Sequence, residues 1–475
     1  MLALDIGTSS TRSALYGQAG NIIAASLRQL EYRARVDASG AFELAPNTLL
    51  RAVRSCIDGT LEWHKQHLSA RVIRVVGVDC FWHSLIGSDE RGRATTNVMT
   101  WADTRAASDA EALQGIIDPS AYHARTGCML HASFWPAKHR WLQRHQRQAY
   151  AQTRFWMSPA EWLMWQITGV RQCAHAMATG TGLYSPTKMQ WDEDLIESLH
   201  IPARALSPIS DELIAPREKI AKRWPALTHA PWVPAIGDGV ASNLGCGATD
   251  STSAAINYGT SAAVRVVRTG SNARAPLGLF AYRIDKRRFL LGGAISNAGN
   301  VYDWARQTLR LPDDALALER ALSRTSVSDG ALTVLPFWNG ERAPYWRDDL
   351  CGSITGLRQS TTALDIAAAL RQATFHRLAL IAEKLPGMRN RTAIVAGGLP
   401  ISSLQLMANV TGLRLRGAGV REASARGAAV FAIERISGTT PPPPRWGREI
   451  TPERAAKKRF REARERHAQL EALLA

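Results

Sequence analysis

The sequence lacks the segments that would place the chain in a membrane or in an oxidising compartment. No stretch approaches the ~18–20 apolar residues of a membrane span. The first residues form a strand-like apolar run without the pattern of a signal peptide. Only six cysteines occur in 475 residues, without a C-x-x-C pair or a ladder of paired spacings. We therefore expect reduced thiols, no zinc site and a cytoplasmic location.

Several catalytic and nucleic-acid-binding motifs are also missing. The sequence has no G-x-x-x-x-G-K-[ST] loop, no protein-kinase catalytic loop and no H-E-x-x-H pair. Acidic residues number 41 against 58 lysines and arginines, which gives a formal net charge of +17. The basic residues are spread along the chain, and no zinc-finger, RRM or basic-zipper pattern accompanies them. We expect no nucleic-acid or membrane partner, and a background charge that helps to attract anionic ligands.

The order of strand-like and helical patterns occurs twice along the chain. Residues 1–30 read as three short strands with small polar turns, followed by a helical stretch and a buried-type strand; the same order recurs after residue 254. This recurrence predicts two α/β domains of shared ancestry. We place them at residues 1–245 and 246–437. Residues 438–475 are expected to form a stiff proline spacer and a solvated basic helix.

Two similar stretches, "LALDIGTSSTRSAL" and "AAINYGTSAAVRVV", lie about 250 residues apart. Both carry a Gly-Thr-Ser turn between apolar runs: Gly7, Thr8 and Ser9 in the first, Gly259, Thr260 and Ser261 in the second. Such a turn points backbone N–H groups and hydroxyls outward and can bind phosphate oxygens. Asp5 before the first turn is placed to hold a metal ion, directly or through water. Asn257 takes its place in the second copy, where an amide avoids repelling a polyphosphate. The repeat predicts two phosphate-binding hairpins facing each other across a cleft.

Four further stretches complete a recognisable set: "FWHSLIG", "TWADTRA", "GDGVASNLG" and "LPFWNGERAPYWRDDLCGSITGL". In this order the motifs resemble those of the FGGY carbohydrate kinases, over essentially residues 1–435. The resemblance implies two actin-like ATPase (ribonuclease H-like) domains with a cleft between them. It also implies ATP and Mg²⁺ as cofactors, a small sugar or sugar acid as substrate, and a possible homodimer.

Within the family the stretches look most like those of gluconate kinases. This likeness implies phosphorylation of D-gluconate to 6-phosphogluconate, with the N-terminal domain binding the sugar and the C-terminal domain the nucleotide. A xylulokinase, or another ketose or polyol kinase, is the alternative within the family. A regulatory ATPase of the actin-like class is an alternative outside it.

The stretch "IGDGVASNLG" places Asp238 in a glycine-flanked loop. Phosphoryl transfer to a hydroxyl needs a carboxylate that orients the alcohol and takes its proton. The resemblance implies that Asp238 is this catalytic base and contacts the substrate. A turn-forming aspartate before glycine is the alternative interpretation. Ser242 and Asn243 follow at helical spacing and are expected to hold the loop.

The resemblance implies four further substrate contacts: Trp82, His83, Trp101 and His131. An imidazole and an indole suit a polyol because one hydrogen-bonds and the other forms an apolar wall. Asp103 and Arg105 lie on the same stretch as Trp101, either as a structural ion pair or as substrate contacts. A carboxylate substrate would need a nearby cation, for which His83, His131 and Arg105 are candidates.

The resemblance also implies the nucleotide-binding residues: Gly7, Thr8, Ser9, Arg12, Gly259, Thr260, Gly299, Gly397 and Gly398. The glycines allow close approach of the backbone to the nucleotide. Arg371 and Gln372 depart from the family pattern, in a helix that we expect to link the domains. Glu341, Arg342 and Pro344 are expected at the interdomain seam.

Overall fold

Two mixed β-sheets with helices packed around them form the body of the protein. The computed structural model describes residues 1–325 and 332–474. Residues 326–331 and 475, which fall within the predicted second domain and C-terminal segment, lie outside the described residues. None of the helices in the described part of the chain combines the length and apolar character that a bilayer crossing requires.

The first half begins with a strand meander and continues through a long inserted region. Its strands are β1 (Leu2–Ile6), β2 (Ser10–Leu15), β3 (Arg28–Glu31), β4 (Arg35–Val36), β5 (Phe42–Leu44), β6 (Val76–Cys80), β7 (Ile86–Ser88), β8 (Val98–Met99), β9 (Phe155–Met157), β10 (Tyr184–Ser185), β11 (Gln190–Trp191) and β12 (Ile236–Gly237). Its helices are α1 (Pro46–His67), α2 (Ala107–Gln114), α3 (Pro119–Thr126), α4 (Trp135–His145), α5 (Arg147–Gln152), α6 (Pro159–Thr168), α7 (His175–Ala178), α8 (Glu193–Ser198), α9 (Glu218–Arg223) and α10 (Asp238–Cys246). The region between β6 and β12 carries most of these helices.

The second half repeats the meander. Its strands are β13 (Ser253–Tyr258), β14 (Ala262–Thr269), β15 (Phe280–Arg283), β16 (Arg288–Ile295), β17 (Thr333–Leu335), β18 (Ser353–Thr355), β19 (Thr392–Gly397) and β20 (Arg414–Gly417). Its helices are α11 (Gly299–Thr308), α12 (Ala315–Arg324), α13 (Ala363–Lys384), α14 (Leu404–Thr411), α15 (Ala423–Ser437) and α16 (Ala456–Leu474).

The two large sheets share one topology. The first has the order β12-β6-β1-β2-β3, and the second has the order β15-β16-β14-β13-β19-β20. In each, an antiparallel hairpin (β1–β2 or β13–β14) continues into a third antiparallel strand on one side. Two parallel strands follow on the other side, β6 and β12 or β19 and β20. This repeat confirms the predicted fold class of two actin-like, ribonuclease H-like units.

The central strands carry polar residues where the site is built. Every residue of β1 and β6 is buried, because helices cover these parallel strands on both faces. Their acidic residues, Asp5 and Asp79, are each the penultimate residue of their strand, and Asn257 has the same place in β13. The carboxyl ends of parallel strands are where α/β folds bind ligands. Asp5, Asp79 and Asn257 therefore indicate that the site lies at the carboxyl ends of the central strands in both sheets.

Helices α10 and α15 cross between the two units. Helix α10 packs against β13 and β19 of the second sheet, while α15 packs against β1 and β6 of the first. The helices contact each other closely at Gly245 and Gly427. A Cβ atom on Gly245 would overlap the carbonyl oxygen of Ala423, and one on Gly427 would overlap that of Ala241. Glycine is therefore required at this crossing.

The prediction that the helix of Arg371 and Gln372 links the domains is wrong. This helix, α13, packs against β14, β16, β17, α11, α12 and α14, all in the second half. The Arg371 guanidinium donates to Glu319 of α12 at 2.5 Å and to the Ser403 hydroxyl at 2.9 Å. It therefore ties together elements of one unit, whereas α10 and α15 cross between the units.

The C-terminal segment lies on the body of the protein. Pro443 packs beside Gly247 at the end of α10, and the Trp446 indole donates to a carbonyl oxygen of α10 at 2.9 Å. Helix α16 buries Phe460 and His467 and packs against α14 and β17. The expectation of a solvated helix is therefore wrong for this face, because its apolar residues, though few, cover part of the second unit.

Candidate active site

A cleft of about 470 Å³ gathers most of the predicted site residues. It lies where the turns of the two hairpins face the start of α10. Its lining includes twelve predicted residues: Asp5, Gly7, Thr8, Ser9, Arg12, Trp82, His83, Trp101, Asp238, Gly259, Thr260 and Gly397. It also includes residues to which the sequence analysis gave no site role: Phe81, Arg265, Tyr282, Arg342 and Glu422.

The two hairpin turns present backbone and hydroxyl donors to the cleft. The Gly7 N–H donates to the Ser10 carbonyl at 2.9 Å, and the Gly259 N–H donates to the Ser261 carbonyl at 2.9 Å. Within the described part of the chain, four hydroxyls of these turns have no protein partner: those of Thr8, Ser9, Thr260 and Ser261. Free donors on a tight turn are suited to phosphate oxygens.

Three more glycines lie beside the second hairpin. The Gly299 N–H donates to the Gly259 carbonyl at 2.8 Å, and a Cβ atom on Gly299 would meet that oxygen. Gly397 adopts φ +107° against the backbone of Tyr258, a conformation that favours glycine. A Cβ atom on Gly398 would face open space. Gly299 and Gly398 adjoin the cleft without lining it.

Asp5 lies between a cation and a second buried carboxyl group. Arg12 Nη1 is 3.3 Å from Asp5 Oδ2, and Asp79 is the direct neighbour of Asp5 in the parallel pair β1–β6. Both Asp79 oxygens are buried without a hydrogen-bond donor. Burial raises the pKa of both carboxyl groups, and the negative charges of Asp5 and Asp238 raise the pKa of Asp79 further.

This arrangement fits a divalent cation held by Asp5 through water. Two neighbouring carboxyl groups, of which Asp79 has both oxygens unpartnered, are stabilised by positive charge. Among residues 1–325 and 332–474, no group of three or more His, Cys, Asp or Glu side chains is arranged to hold a metal ion. The protein therefore offers one side of a coordination shell, and the remaining ligands would come from phosphates and water.

The second hairpin has the same arrangement with a different charge balance. Arg265 Nη1 donates to Asn257 Oδ1 at 2.8 Å, and the Asn257 amide contacts the Ser242 hydroxyl of α10. In the first hairpin the carboxylate of Asp5 partly neutralises Arg12. The neutral amide of Asn257 does not neutralise Arg265, so the opposite charge that acts on this guanidinium is Asp238 at the start of α10. The cleft therefore has a guanidinium beside the carboxylate at the start of α10.

Asp238 is the first residue of α10, and its carboxylate accepts the Gly239 N–H at 2.8 Å. Burial raises its pKa to about 6, and the nearby charges of Arg265 and Arg342 lower it. A base with a pKa near the working pH is efficient at taking a proton. The structure thus places a carboxylate of suitable basicity in the cleft, facing the hairpin turns.

Trp82, His83 and Trp101 form the predicted substrate wall of the cleft. Hydrogen bonds to the region between β6 and β12 hold the first two of these side chains in place. His83 adopts φ +63°, and its Nδ1 donates to the Gly180 carbonyl at 2.6 Å. Burial, assisted by a neighbouring guanidinium, lowers the pKa of His83 well below its usual value, so the ring is neutral. The Trp82 indole donates to the Ala176 carbonyl at 2.8 Å. His83 Nε2 has no protein partner among the described residues, and it can accept a hydrogen bond from a hydroxyl group of a polyol.

Lys138 holds together the two chain segments that contain His83 and Trp101. Its ammonium is fully buried and donates to the carbonyl oxygens of His83 and Thr100, each at 2.8 Å. Burial lowers the pKa of Lys138 to about 7. Since Thr100 precedes Trp101, this one side chain sets the relative position of the histidine and the tryptophan.

Two candidate residues are engaged outside the cleft. His131 Nε2 lies 2.8 Å from the Asp348 carboxylate, so a loop of the second unit reaches the first unit there. Arg105 pairs with Asp103 at 2.6 Å and with Glu43 at 2.5 Å. Of the two interpretations of Asp103 and Arg105, the structure shows the ion pair. Neither His131 nor Arg105 lines the cleft.

Arg342 reaches the cleft from the loop between β17 and β18. Its guanidinium carbon lies 5.5 Å from the ring centres of both Trp101 and Trp346. The loop thus joins the second unit to the substrate wall of the first, as expected for the interdomain seam. Sequence reasoning did not give Arg342 a site role, because the motif "GERAPYW" does not show where the loop folds.

Comparison with protein families gives two matches that together span most of the chain. The model of the N-terminal domain of the FGGY family of carbohydrate kinases matches residues 1–245. The model of the C-terminal domain of the same family matches residues 254–434. The two matched regions contain the two sheets and every residue predicted for the site.

Curated relatives carry more than one name. The gluconokinase of Bacillus subtilis (strain 168) is 26% identical over 373 residues, which cover 76% of this chain and 72% of that protein. The glycerol kinase of Rhizorhabdus wittichii is 29% identical over 475 residues, which cover 94% of this chain and 91% of that protein. The identities are similar, so they do not separate the substrates.

Solved structures share the fold. The xylulose kinase from Lactobacillus acidophilus superimposes with a TM-score of 0.89 at 24% identity, covering 100% of this chain and 98% of that chain. The gluconate kinase from the same organism superimposes with a TM-score of 0.88, also at 24% identity and with the same coverage. The two-unit fold is therefore common to these kinases and to this chain.

Proposed function

Because the chain belongs to the FGGY family of carbohydrate kinases, we propose that its sugar substrate is D-gluconate and its product 6-phosphogluconate. The chain is a sugar kinase, and kinases of this family use ATP. The observation that carries the proposal is the cleft, where Asp238 faces two phosphate-type hairpins beside a wall of two tryptophans and a neutral histidine. The gluconokinase match supports gluconate as the acceptor.

Each group of cleft residues has a separate role in phosphoryl transfer. The hairpin turns bind the phosphates, and Arg265 stabilises the charge on the phosphoryl group as it moves. Asp238 orients the acceptor hydroxyl and takes its proton. Asp5 would hold Mg²⁺, which would supply positive charge to neutralise the polyphosphate. The wall of Trp82 and His83 excludes water from the acceptor, and positioning then accounts for most of the rate.

A neutral polyol is the second candidate substrate. It is favoured by the glycerol kinase relatives, which align with 91–94% of this chain in three of the matches. The decisive experiment is ADP release from the purified protein with Mg-ATP. Gluconate, xylulose, ribulose, glycerol, fuculose and erythritol are compared, and the product is identified by mass. Turnover with gluconate at least tenfold above the others supports the proposal, and a preference for any neutral compound overturns it.

Asn257→Asp is expected to lower kcat about tenfold. The aspartate has the same shape, but its carboxylate would pair with the Arg265 nitrogen that now donates at 2.8 Å and would neutralise that charge. Transition-state stabilisation by a positive group is worth several kcal/mol, and partial neutralisation removes part of it. Asn257→Ala, which leaves Arg265 charged, is the control and should cost less. Steady-state kinetics comparing the two variants provide the measurement; an Asp variant faster than the Ala variant contradicts the role of Arg265.

The pH profile of kcat/KM for the sugar is expected to fall as pH drops through about 6, the pKa of Asp238. Activity needs the carboxylate, so it is present above this pKa and lost below it. Arg265→Gln removes a positive charge that lowers this pKa, and the acidic limb should move to higher pH by about one unit. Profiles from pH 5 to 9 at saturating ATP test this shift. The control is Arg347→Gln, because Arg347 pairs with Asp349 outside the cleft. A limb that stays in place in Arg265→Gln would show that another group titrates.

A further inference from the structure

We propose that Arg342 binds the carboxylate of the substrate and makes the cleft selective for sugar acids over neutral sugars. This inference rests on the proposed function, since an aldonate phosphorylated at its terminal hydroxyl carries a carboxylate at its other end. Such a group needs a cation inside the cleft, because an unpaired charge removed from water is costly.

Arg342 is a buried cation without a salt-bridge partner among the described residues; the carboxylates of Asp348 and Asp238 act on it only from a longer distance. Only 8% of the residue is exposed, and its Nε is buried without a hydrogen-bond partner. Among the described residues, no carboxylate lies within ion-pair distance of its guanidinium and no side chain or carbonyl accepts from it. The guanidinium lines the cleft between two tryptophan rings. A flat, charged donor with free N–H groups matches the bidentate geometry of a carboxylate.

The other candidate cations are unavailable. His83 is neutral because burial lowers its pKa well below the usual value. His131 is paired with Asp348, and Arg105 is neutralised by Asp103 and Glu43. Among these residues Arg342 alone lines the cleft as an unpaired charge.

Arg265 serves the opposite end of the substrate. It donates to Asn257, and its guanidinium lies against the backbone of Gly239, the residue after Asp238. It is therefore at the phosphoryl-transfer end. Arg342 contacts Trp101 instead, on the wall that the sugar is expected to follow. An open-chain acid lying along this wall would have its hydroxyl at Asp238 and its carboxylate at Arg342.

The loop that carries Arg342 is anchored on both sides of the residue. The Ala343 N–H donates to the Ala294 carbonyl at 3.0 Å, and the Trp346 indole donates to the Gly278 carbonyl at 2.8 Å. Glu341 forms a buried ion pair with Arg377 of α13. The guanidinium is therefore held in place before substrate arrives, which lowers the entropic cost of binding.

The test compares Arg342→Gln with wild type on an acid and its neutral analogues, D-gluconate, D-gluconamide and D-glucitol. We expect Arg342→Gln to lose about 100-fold in kcat/KM for gluconate and less than about threefold for gluconamide. The KM for ATP should be unchanged, which shows that the nucleotide site is intact. Arg347→Gln, the same substitution five residues further along the loop, is the matched control and should behave as wild type.

The outcomes separate this inference from the proposed function. If gluconate is the substrate but Arg342→Gln loses the acid and the amide equally, the inference is overturned and the proposed function stands. If D-galactonate, assayed beside gluconate as a second sugar acid, is preferred and the variant loses that preference, gluconate is wrong and the role of Arg342 is supported. If wild type prefers neutral polyols, both are overturned. If Arg342→Gln does not fold, Arg342→Lys provides the same comparison, because it keeps the charge but loses the bidentate contact and should retain a reduced preference for the acid.

Discussion

Asp238→Asn is expected to lower kcat by about 10³- to 10⁴-fold while the KM for ATP changes less than about twofold. The amide keeps the shape of the carboxylate and can still accept the Gly239 N–H at the start of α10. It cannot take a proton from the acceptor hydroxyl. The nucleotide contacts predicted on the two hairpins do not involve this side chain, so nucleotide binding should survive.

The measurement is steady-state ADP release together with nucleotide binding by calorimetry. Asp194→Asn is the matched control, because the Asp194 side chain is 83% exposed and remote from the cleft. A variant that binds ATP as wild type does but transfers no phosphate supports Asp238 as the base. Turnover within tenfold of wild type would assign the proton transfer to another group.

The sequence predicted the parts of the site that depend on local patterns. The Gly-Thr-Ser turns with Asp5 and Asn257 predicted two hairpins, and the structure has one at the same place in each sheet. Asp238 was identified through the family resemblance of the motif "IGDGVASNLG", since an aspartate before glycine fits a simple turn equally well. A short motif and its flanking apolar runs contain the information needed for such predictions.

The charge balance of the cleft could not be predicted, because it depends on residues far apart in the chain. Arg105 was a candidate to bind a substrate carboxylate, but the structure pairs it with Glu43, which lies 62 residues earlier in the chain. Arg342 looked like a seam residue, and only the folded loop shows it unpaired against Trp101. Arg265 lies between two valines in "AAVRVV", a pattern that fits a strand with one exposed face equally well, so its place in the cleft was not predicted either.

The helix crossing was assigned to the wrong element for a similar reason. Helix α13 has the length and apolar content of a linking helix, but its partners all lie in one unit. The true linking helices, α10 and α15, are rich in small residues, and their amphipathic pattern is weak. Contact through glycine and alanine leaves no strong periodic signal in a sequence.

Gly427→Ala is expected to destabilise the protein by about 4 kcal/mol or more, or to prevent the accumulation of folded protein. Alanine favours a helix over glycine by about 1 kcal/mol, so propensity alone predicts the opposite sign. The new methyl group, however, would overlap the Ala241 carbonyl oxygen, a backbone atom that cannot rotate away. The helices would have to separate, and α10 and α15 both lose their packing on the sheets.

Urea unfolding followed by far-UV circular dichroism measures the loss, with Gly115→Ala as the control. A Cβ atom on Gly115 would lie 3.5 Å from its nearest neighbour, an ordinary contact, so that variant should stay within about 1 kcal/mol of wild type. Because α10 begins at Asp238, separation of the helices also moves the carboxylate relative to both hairpins. If Gly427→Ala retains any folded fraction, its kcat should fall more than its affinity for ATP. An unfolding midpoint equal to that of wild type would show that the crossing can relax, and would remove the argument that this pair of glycines fixes the position of Asp238.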